Sequence, residues 1–494
     1  MSLQNLSNKF ASEKIFKTKP RTYLNHSVEF KKPCDAEKRI TMLEKVGLNV
    51  FYFPAEMITG CDFLSDSGTT TMTNEQWAAL HMGDESYGSN RGYFELMKVI
   101  QDVFGKDFFN VPEMNSPNAF IFHQGRSCED ALFSMIGKWD SEMIIPSNGH
   151  FDTTEANIMV NQIKPINLFS KALTEGSESK FKGDIDTQKL RELVNNKKEK
   201  IPVIYLTITN NTGGGQPVSM SNIKEVASIA QTNNIPFFLD ACRFAENAWF
   251  IQKHESGYAE KEIKEIVKEM FSYADGFTIS FKKDGLVNMG GGLFIKNEGL
   301  MMSKHPELCN ALMDHQICKE GHPTYGGLSG RDIMALVVGL KQITKQEYLD
   351  QRIEQVQYFG LKLKEAGIPV VWPVGGHAVY IDMNKFFEDT DLKANDFGGI
   401  SFTALLLSLY GHRACELGNF AFGSVVNEED KFPEVNYVRF AVPRLRYEKS
   451  DLDNVVEAVT ELYNNRKSIP GVQIVYGREL SLRHFKARFA FKES

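Results

Sequence analysis

Hydrophobic and polar positions along this chain keep two alternating periods. Short apolar runs rich in β-branched and aromatic residues recur at 120–122, 201–209, 235–239 and 276–280. Runs of this length, bounded by glycine or polar positions, predict buried strands. Between them the period becomes helical. Ile263, Ile266, Val267, Met270 and Phe271 fall at i, i+3, i+4, i+7 and i+8, which is one apolar stripe on a helix over 260–273. Gly125 turns the chain into a helix over 129–139, and Ser221 opens another with Ile223, Val226 and Ala230 on one face. Strand, helix and strand in this rhythm predict an α/β architecture with a mostly parallel sheet.

Past residue 335 the pattern lengthens. A helix over 352–366 is stopped by Gly367 and Pro369. A second, over 452–463 with Ser450 as N-cap, turns Leu452, Val455, Val456, Val459 and Leu462 inward. These flank strand-like pieces at 378–381 and 438–442. The expected organisation is a large domain over 68–335 and a smaller α/β domain built from both chain ends, 1–67 and 336–494, with the polar first 35 residues as a loose arm.

The 494 residues carry 56 Lys and Arg against 63 Asp and Glu, a net charge of −7. That supplies no basic field for nucleic acid. The most apolar run, 404–409, is far shorter than the roughly 18 residues a membrane helix needs. Cys34, Cys61, Cys128, Cys242, Cys309, Cys318 and Cys415 form no C-x-x-C pair, and the first residues carry no apolar signal segment. This pattern is neither a disulfide framework nor a zinc site, so a reducing, cytoplasmic location is expected, with no membrane or nucleic-acid partner.

In open parallel sheets ligands bind beyond the carboxyl ends of the strands. After the 120s strand stand His123, Gln124, Gly125, Arg126 and Ser127. A glycine turn, an arginine and a hydroxyl at a helix start suit a phosphate. After the 200s strand come Asn210, Asn211, Thr212 and three glycines; Asp240, Cys242 and Arg243 follow the next; Ser280, Lys282, Lys283 and Asp284 follow the last. Each has an ordinary structural explanation taken alone: a helix cap, surface lysines, a flexible turn. In this order, phosphate turn, Asn, Asp and Lys together point to pyridoxal phosphate. Its aldehyde takes a lysine, and its pyridine nitrogen needs an acid partner before the ring can accept electrons.

The residues then match more than a pattern. DSGTTTMT (66–73), MGDESYGS (82–89), HQGR (123–126), FDTTEA (151–156), GGQPVS (214–219), DACRFAENAWFI (240–251), KKDGLVNMGG (282–291), PTYGGLSGRD (323–332), VGGHAVYID (374–382) and LRHFKARF (482–489) resemble the tryptophanase and tyrosine phenol-lyase family of β-eliminating lyases, from about residue 40 to the end. The resemblance implies the type I, aspartate aminotransferase-like fold of pyridoxal 5'-phosphate enzymes. It also implies a homotetramer with active sites shared between subunits, acting on a small-molecule amino-acid substrate. By resemblance Lys283 carries the cofactor, Lys282 is its basic neighbour, Asp240 pairs with the pyridine nitrogen, and Asn211 and Arg243 contact the phenolic oxygen. Gln124, Gly125, Arg126 and Ser280 hold the phosphate and Phe151 stacks on the ring. Ser67 and Arg444 contact the substrate, with Arg444 as its carboxylate clamp. Tyr87 donates a proton from a neighbouring subunit, and Glu85 with Gly68 and Asn288 binds potassium.

Specificity rests on three positions. Tyrosine phenol-lyases place a threonine and an arginine around the phenol. Tryptophanases place an aspartate and a histidine near the indole, with an aliphatic residue in place of the arginine. Here Asp152, His484 and Leu417 stand there, so β-elimination of tryptophan to indole, pyruvate and ammonia is expected. Tyrosine phenol-lyase or another β-lyase of the same mechanism is the alternative. The sequence departs from the family at Ser65, at Phe281, at Ser127 and Cys128, and around Gly290 to Gly292. A phenylalanine immediately before the lysine pair is expected to reshape the pocket.

Overall fold

The computed structural model of the protein describes residues 22–24, 27–108, 118–174, 177–426 and 429–493. Most of the arm expected over 1–35 lies outside the described residues. Lys31–Ser494 fold as one compact unit.

Among the described residues up to position 300 lie seven strands: β1 (Ala119–Phe122), β2 (Ile144–Ser147), β3 (Lys164–Asn167), β4 (Ile204–Thr207), β5 (Phe237–Asp240), β6 (Gly276–Ser280) and β7 (Gly291–Ile295). Five form a sheet in the order β1-β7-β6-β5-β4. The β4/β5 and β5/β6 pairs are parallel, and β7 runs against both its neighbours. β2 and β3 form a parallel pair. The Asn148 side chain ties the end of β2 to β4, accepting from Thr207 N and donating to Thr207 O, both at 2.9 Å. Every residue of β1, β4, β5, β6 and β7 is buried, which explains why these strands read as unbroken apolar runs.

Helices begin where side chains satisfy their free N–H groups. The helix expected from Ser221 is Met220–Thr232, capped by Ser219, whose Oγ accepts from Asn222 N. Asp184 holds that serine through its N and Oγ at 2.7 and 3.0 Å. The helix expected over 452–463 is Lys449–Asn464, opened by a reciprocal Glu448 and Asp451 box in place of a Ser450 cap. The helix expected over 129–139 is Gly125–Ile136 and starts directly at the β1 turn.

A second, antiparallel sheet holds β8 (Ala378–Asp382), β9 (Cys415–Leu417) and β12 (Tyr437–Ala441) in the order β8-β12-β9. A hairpin of β10 (Ser424–Val426) and β11 (Glu429–Lys431) interrupts it, and β13 (Val472–Tyr476) pairs with β14 (Arg488–Phe491) near the chain end. Phe63, from the N-terminal segment, is fully buried among Phe359, Phe440 and Tyr447 in the core of this sheet. The expected boundary at 335/336 falls inside the helix Gly330–Ile343. The following helix, Gln346–Glu365, sends Leu349 and Ile353 into the core of the large sheet and Val356, Phe359 and Leu363 into that of the small one. The 352–366 expectation caught only its later turns. Its start is polar because Gln346 and Asp350 bind Gln252 and Trp249. No described helix is long and apolar enough to cross a membrane.

Candidate active site

The carboxyl ends of β1, β4, β5 and β6 open into one cavity of about 260 Å³. All ten residues expected to hold a cofactor line it: Gln124, Gly125, Arg126, Phe151, Asn211, Asp240, Arg243, Ser280, Lys282 and Lys283. Ser67, Asp152, Leu417 and His484 line it as well. A wider cleft of about 990 Å³ meets this cavity at Asp152 but contains neither Lys283 nor Asp240, so the smaller cavity is the candidate site.

The floor is set by a close approach. A Cβ on Gly125 would lie 2.6 Å from the Cβ of Ser280, so only glycine lets the helix Gly125–Ile136 begin against the end of β6. The start of that helix, Arg126, Ser280 and Lys282 line the same cavity, and free N–H groups beside two cationic side chains and a hydroxyl are the chemistry of an anion site. Burial, then the charges of Lys283 and Arg126, push the Lys282 pKa down, so this corner gains from a bound anion. Gly68 has a left-handed φ of 72°, and its missing side chain leaves room for Lys282 Cε, 2.8 Å from where a Cβ would stand.

Asp240 closes β5 and is buried. Burial pushes its pKa up, while the Cys242 thiol, 3.2 Å from Oδ1, and the charges of Lys283 and Arg243 work against that rise. Glu129 lines the same cavity. Its carboxyl accepts from Thr154 Oγ1 at 2.6 Å and Asn157 Nδ2 at 3.3 Å. Burial first, then the Asp240 charge, push it up to about 7.

Arg243 is gripped by Asp66 through two bonds of 3.0 and 2.7 Å. Burial works against the Asp66 charge, but Arg243 and Arg444 outweigh it and hold that carboxyl well below its usual range. Arg444 is not at the cavity. It is fully buried, reaching Asp66 Oδ2 at 3.0 Å, Glu246 Oε1 at 2.8 Å and Asp284 Oδ1 at 2.8 Å. Its two terminal nitrogens are spent on three carboxylates, and although its buried Nε is also unpartnered it does not line the cavity, so it is not placed to clamp a substrate there, which corrects the clamp expected from the sequence. Arg439, on β12, is the arginine that lines the cavity. It donates to Asn211 Oδ1 at 3.2 Å and Leu64 O at 2.9 Å, and its buried Nε is unpartnered. An unpartnered guanidinium N–H on a residue that lines the cavity is one a carboxylate could satisfy. The sequence signal was there: a charge in the middle of the fully buried strand Tyr437–Ala441.

At the other end Asp152 and His484 are both buried, with Nε2 at 2.8 Å from Oδ2. The contact has ion-pair distance without hydrogen-bond alignment. The His484 ring packs at 4.0 Å from Phe485 and 5.8 Å from Phe51. Phe51, Phe485 and Leu417 complete an apolar wall. Phe51 and Phe485 were not singled out in the sequence. Ser65 keeps its hydroxyl in the cavity, accepting from Ser67 N at 3.0 Å. Phe281 does not reshape the pocket. Ser280 and Lys282 face the cavity, and the intervening ring is buried in the large core near Phe294. Cys128 is buried, with its thiol 3.5 Å from Gln124 O.

Two further expectations fall elsewhere in the chain. Tyr87 is 75% exposed and leans on His322 and Tyr325, away from the cavity. Asn288 Nδ2 donates to Gly68 O at 2.9 Å, but Glu85 is exposed and lies 3.4 Å from Arg331.

The family model of the beta-eliminating lyases matches residues 62–458. A tryptophanase of Salinibacter ruber is 38% identical over 451 residues, covering 91% of each chain. A tyrosine phenol-lyase of Fusobacterium nucleatum is 38% identical over 474 residues, covering 94% of this chain and 97% of the other. Among solved structures, an aminotransferase from Staphylococcus aureus superposes with a TM-score of 0.55 at 13% identity, covering 84% of this chain and 98% of that one. A serine palmitoyltransferase of S. paucimobilis holding a pyridoxal phosphate adduct does so at 0.52 and 10%, covering 83% and 88%. The fold is therefore the type I fold of pyridoxal phosphate enzymes, as the sequence led us to expect. With most of its length matched by the family model and by relatives well above 30% identity, the chain belongs to the beta-eliminating lyase family.

Proposed function

We propose that the protein uses pyridoxal 5'-phosphate to eliminate indole from L-tryptophan, leaving pyruvate and ammonia. The observation that carries the reading is the buried Asp152 and His484 pair, facing the same cavity as Lys283 beside the uncharged Leu417. The residues fit the cofactor: the Gly125 and Ser280 contact leaves a cradle a Cβ would fill, and Arg126 and Lys282 supply charge for a phosphate. When bound, the cofactor supplies an electron sink for the charge that develops at the substrate Cα.

The chain's own groups divide the remaining work. Lys283 would hold the cofactor through its aldehyde and then take the Cα proton as a base. Asp240 would keep a proton on the pyridine nitrogen, which a neutral amide could not favour by charge. Arg439, with its open Nε, would orient the substrate carboxylate as a fork. Asp152 and His484 would deliver a proton to the indole ring, since a carbon leaving group departs only after its ring carbon is protonated. Phe51, Phe485 and Leu417 would exclude water from that end. By the family resemblance, the exposed Tyr87 and Glu85 would serve a neighbouring copy in a homotetramer, Glu85 through a potassium ion shared with Gly68 and Asn288.

The test is a substrate panel of tryptophan, tyrosine, serine and S-alkyl-cysteine, read as pyruvate without any keto-acid acceptor. Tryptophan is expected to exceed tyrosine. Faster turnover of tyrosine would favour the phenol-lyase reading, and a need for a keto acid would make the enzyme an aminotransferase.

A further inference from the structure

The Asn211 carboxamide sits among donors. Its Oδ1 lies 2.7 Å from the Tyr380 hydroxyl, 3.0 Å from His377 Nε2 and 3.2 Å from Arg439 Nη1. A guanidinium has donors and no acceptor. The atom facing Arg439 is therefore the amide oxygen, and the NH2 group is turned toward the cavity that Asn211 lines. His377 meets the same oxygen with an N–H, and its buried Nδ1 has no partner.

Tyr380 makes this orientation hard to lose. It is buried on β8 and does not itself line the cavity. Its hydroxyl has two acceptors on the one residue, Asn211 O at 2.8 Å and Asn211 Oδ1 at 2.7 Å. One O–H thus ties the main chain and the side chain of Asn211 together, and the contact spans the two sheets. The charged groups around it are Arg439, Arg243 and Asp66. Its ring packs edge-on against Tyr437 at 5.9 Å, a contact phenylalanine would keep.

We propose that Tyr380 is a positioning residue whose hydroxyl holds the Asn211 carboxamide with its NH2 directed at the phenolic oxygen of bound pyridoxal phosphate. This rests on the cofactor reading above. A donor at that oxygen favours its anionic form and so lowers the pH at which the bound cofactor gives up its proton. Without the hydroxyl the amide is held less firmly, and the midpoint rises.

The experiment is a pH titration of the visible absorbance of the holoenzyme in four forms: unsubstituted, Tyr380→Phe, Asn211→Ala and the double variant. Tyr380→Phe is expected to raise the midpoint by about half to one pH unit. Asn211→Ala is expected to raise it at least as far, and Tyr380→Phe to add less than about 0.2 unit in the Asn211→Ala background. An unchanged midpoint in Tyr380→Phe with the cofactor fully bound overturns the proposal. So does an equal shift in the Asn211→Ala background, since the hydroxyl would then act by another route. If the unsubstituted protein takes up no pyridoxal phosphate, the cofactor reading falls and this one with it, a result distinct from either of the others.

Discussion

Arg439 and Arg444 stand five residues apart on and just after the same strand, and the geometry gives them opposite jobs. Replacing Arg444 with methionine keeps most of the volume and removes the charge. Asp66 would keep Arg243, and Glu246 would keep Arg352 at 3.0 Å. Asp284 would lose its arginine and retain main-chain donors, Ala245 N at 2.8 Å and Glu246 N at 3.4 Å. Its carboxyl is already pushed up to about 7, by burial first. Breaking a buried ion pair by removing one partner costs about 3–5 kcal/mol, so Arg444→Met is expected to lower the melting temperature by several degrees. Arg439→Met gives up two hydrogen bonds, about 1–3 kcal/mol together, and the proposed carboxylate clamp. A desolvated charge pair lost at a binding site costs about 2–5 kcal/mol, so kcat/KM for tryptophan is expected to fall by roughly 10²–10³-fold. Binding of tryptamine, which lacks the carboxylate, is expected to change far less. The assays are thermal melting, steady-state kinetics and competition by tryptamine. If Arg444→Met melted normally and lost carboxylate discrimination while Arg439→Met kept it, the assignment would be refuted.

Other outcomes are as definite. Lys283→Ala is expected to abolish pyruvate release, and undiminished release would remove the lysine from the chemistry. Asp152→Asn and His484→Gln are expected to reduce tryptophan turnover far more than S-alkyl-cysteine turnover, because a thiolate leaves without ring protonation; equal losses would place the pair outside that step. Gly125→Ala forces a Cβ to 2.6 Å from Ser280, an overpacking cost of about 1–3 kcal/mol, so weaker cofactor uptake is expected, and wild-type uptake would show the cradle is not needed. In the cofactor-free protein, Glu129 keeps its proton to a higher pH when folded, about 7 against a reference of 4.5. It therefore adds stability below its unfolded pKa, and that share is lost as pH rises toward 7, at up to about 1.4 kcal/mol per pH unit. Glu129→Gln should flatten the decline in melting temperature between pH 5 and 7, and an unaltered slope would contradict the placement.

The sequence reads most clearly where one rule acts alone. Strands buried on both faces appear as unbroken apolar runs, and β5 and β6 fall where those runs stop. The residues just past the strands collect at the cavity because a parallel sheet sends all such ends to one side. Helix starts are less legible. Ser219 wins over Ser221 only because Asp184, 35 residues away in sequence, holds it. The two arginines show the same limit. Both stand in the string VRFAVPR, the sequence reading singles out Arg444, and only the folded chain reveals that three distant carboxylates surround Arg444 while Arg439 lines the cavity. Phe281 misleads for a simpler reason: the chain turns at 281–285, directly after β6, and nearness in sequence to Lys282 and Lys283 does not fix the direction of a side chain in a turn; its ring goes to the large core.

The helix Gln346–Glu365 has its first half embedded beside the large sheet and its second half beside the small one. An α-helix of 20 residues is a stiff rod about 30 Å long. With residues of one helix in both cores, the spacing between the strand bearing Arg439 and the turn bearing Lys283 is set by a single stiff element.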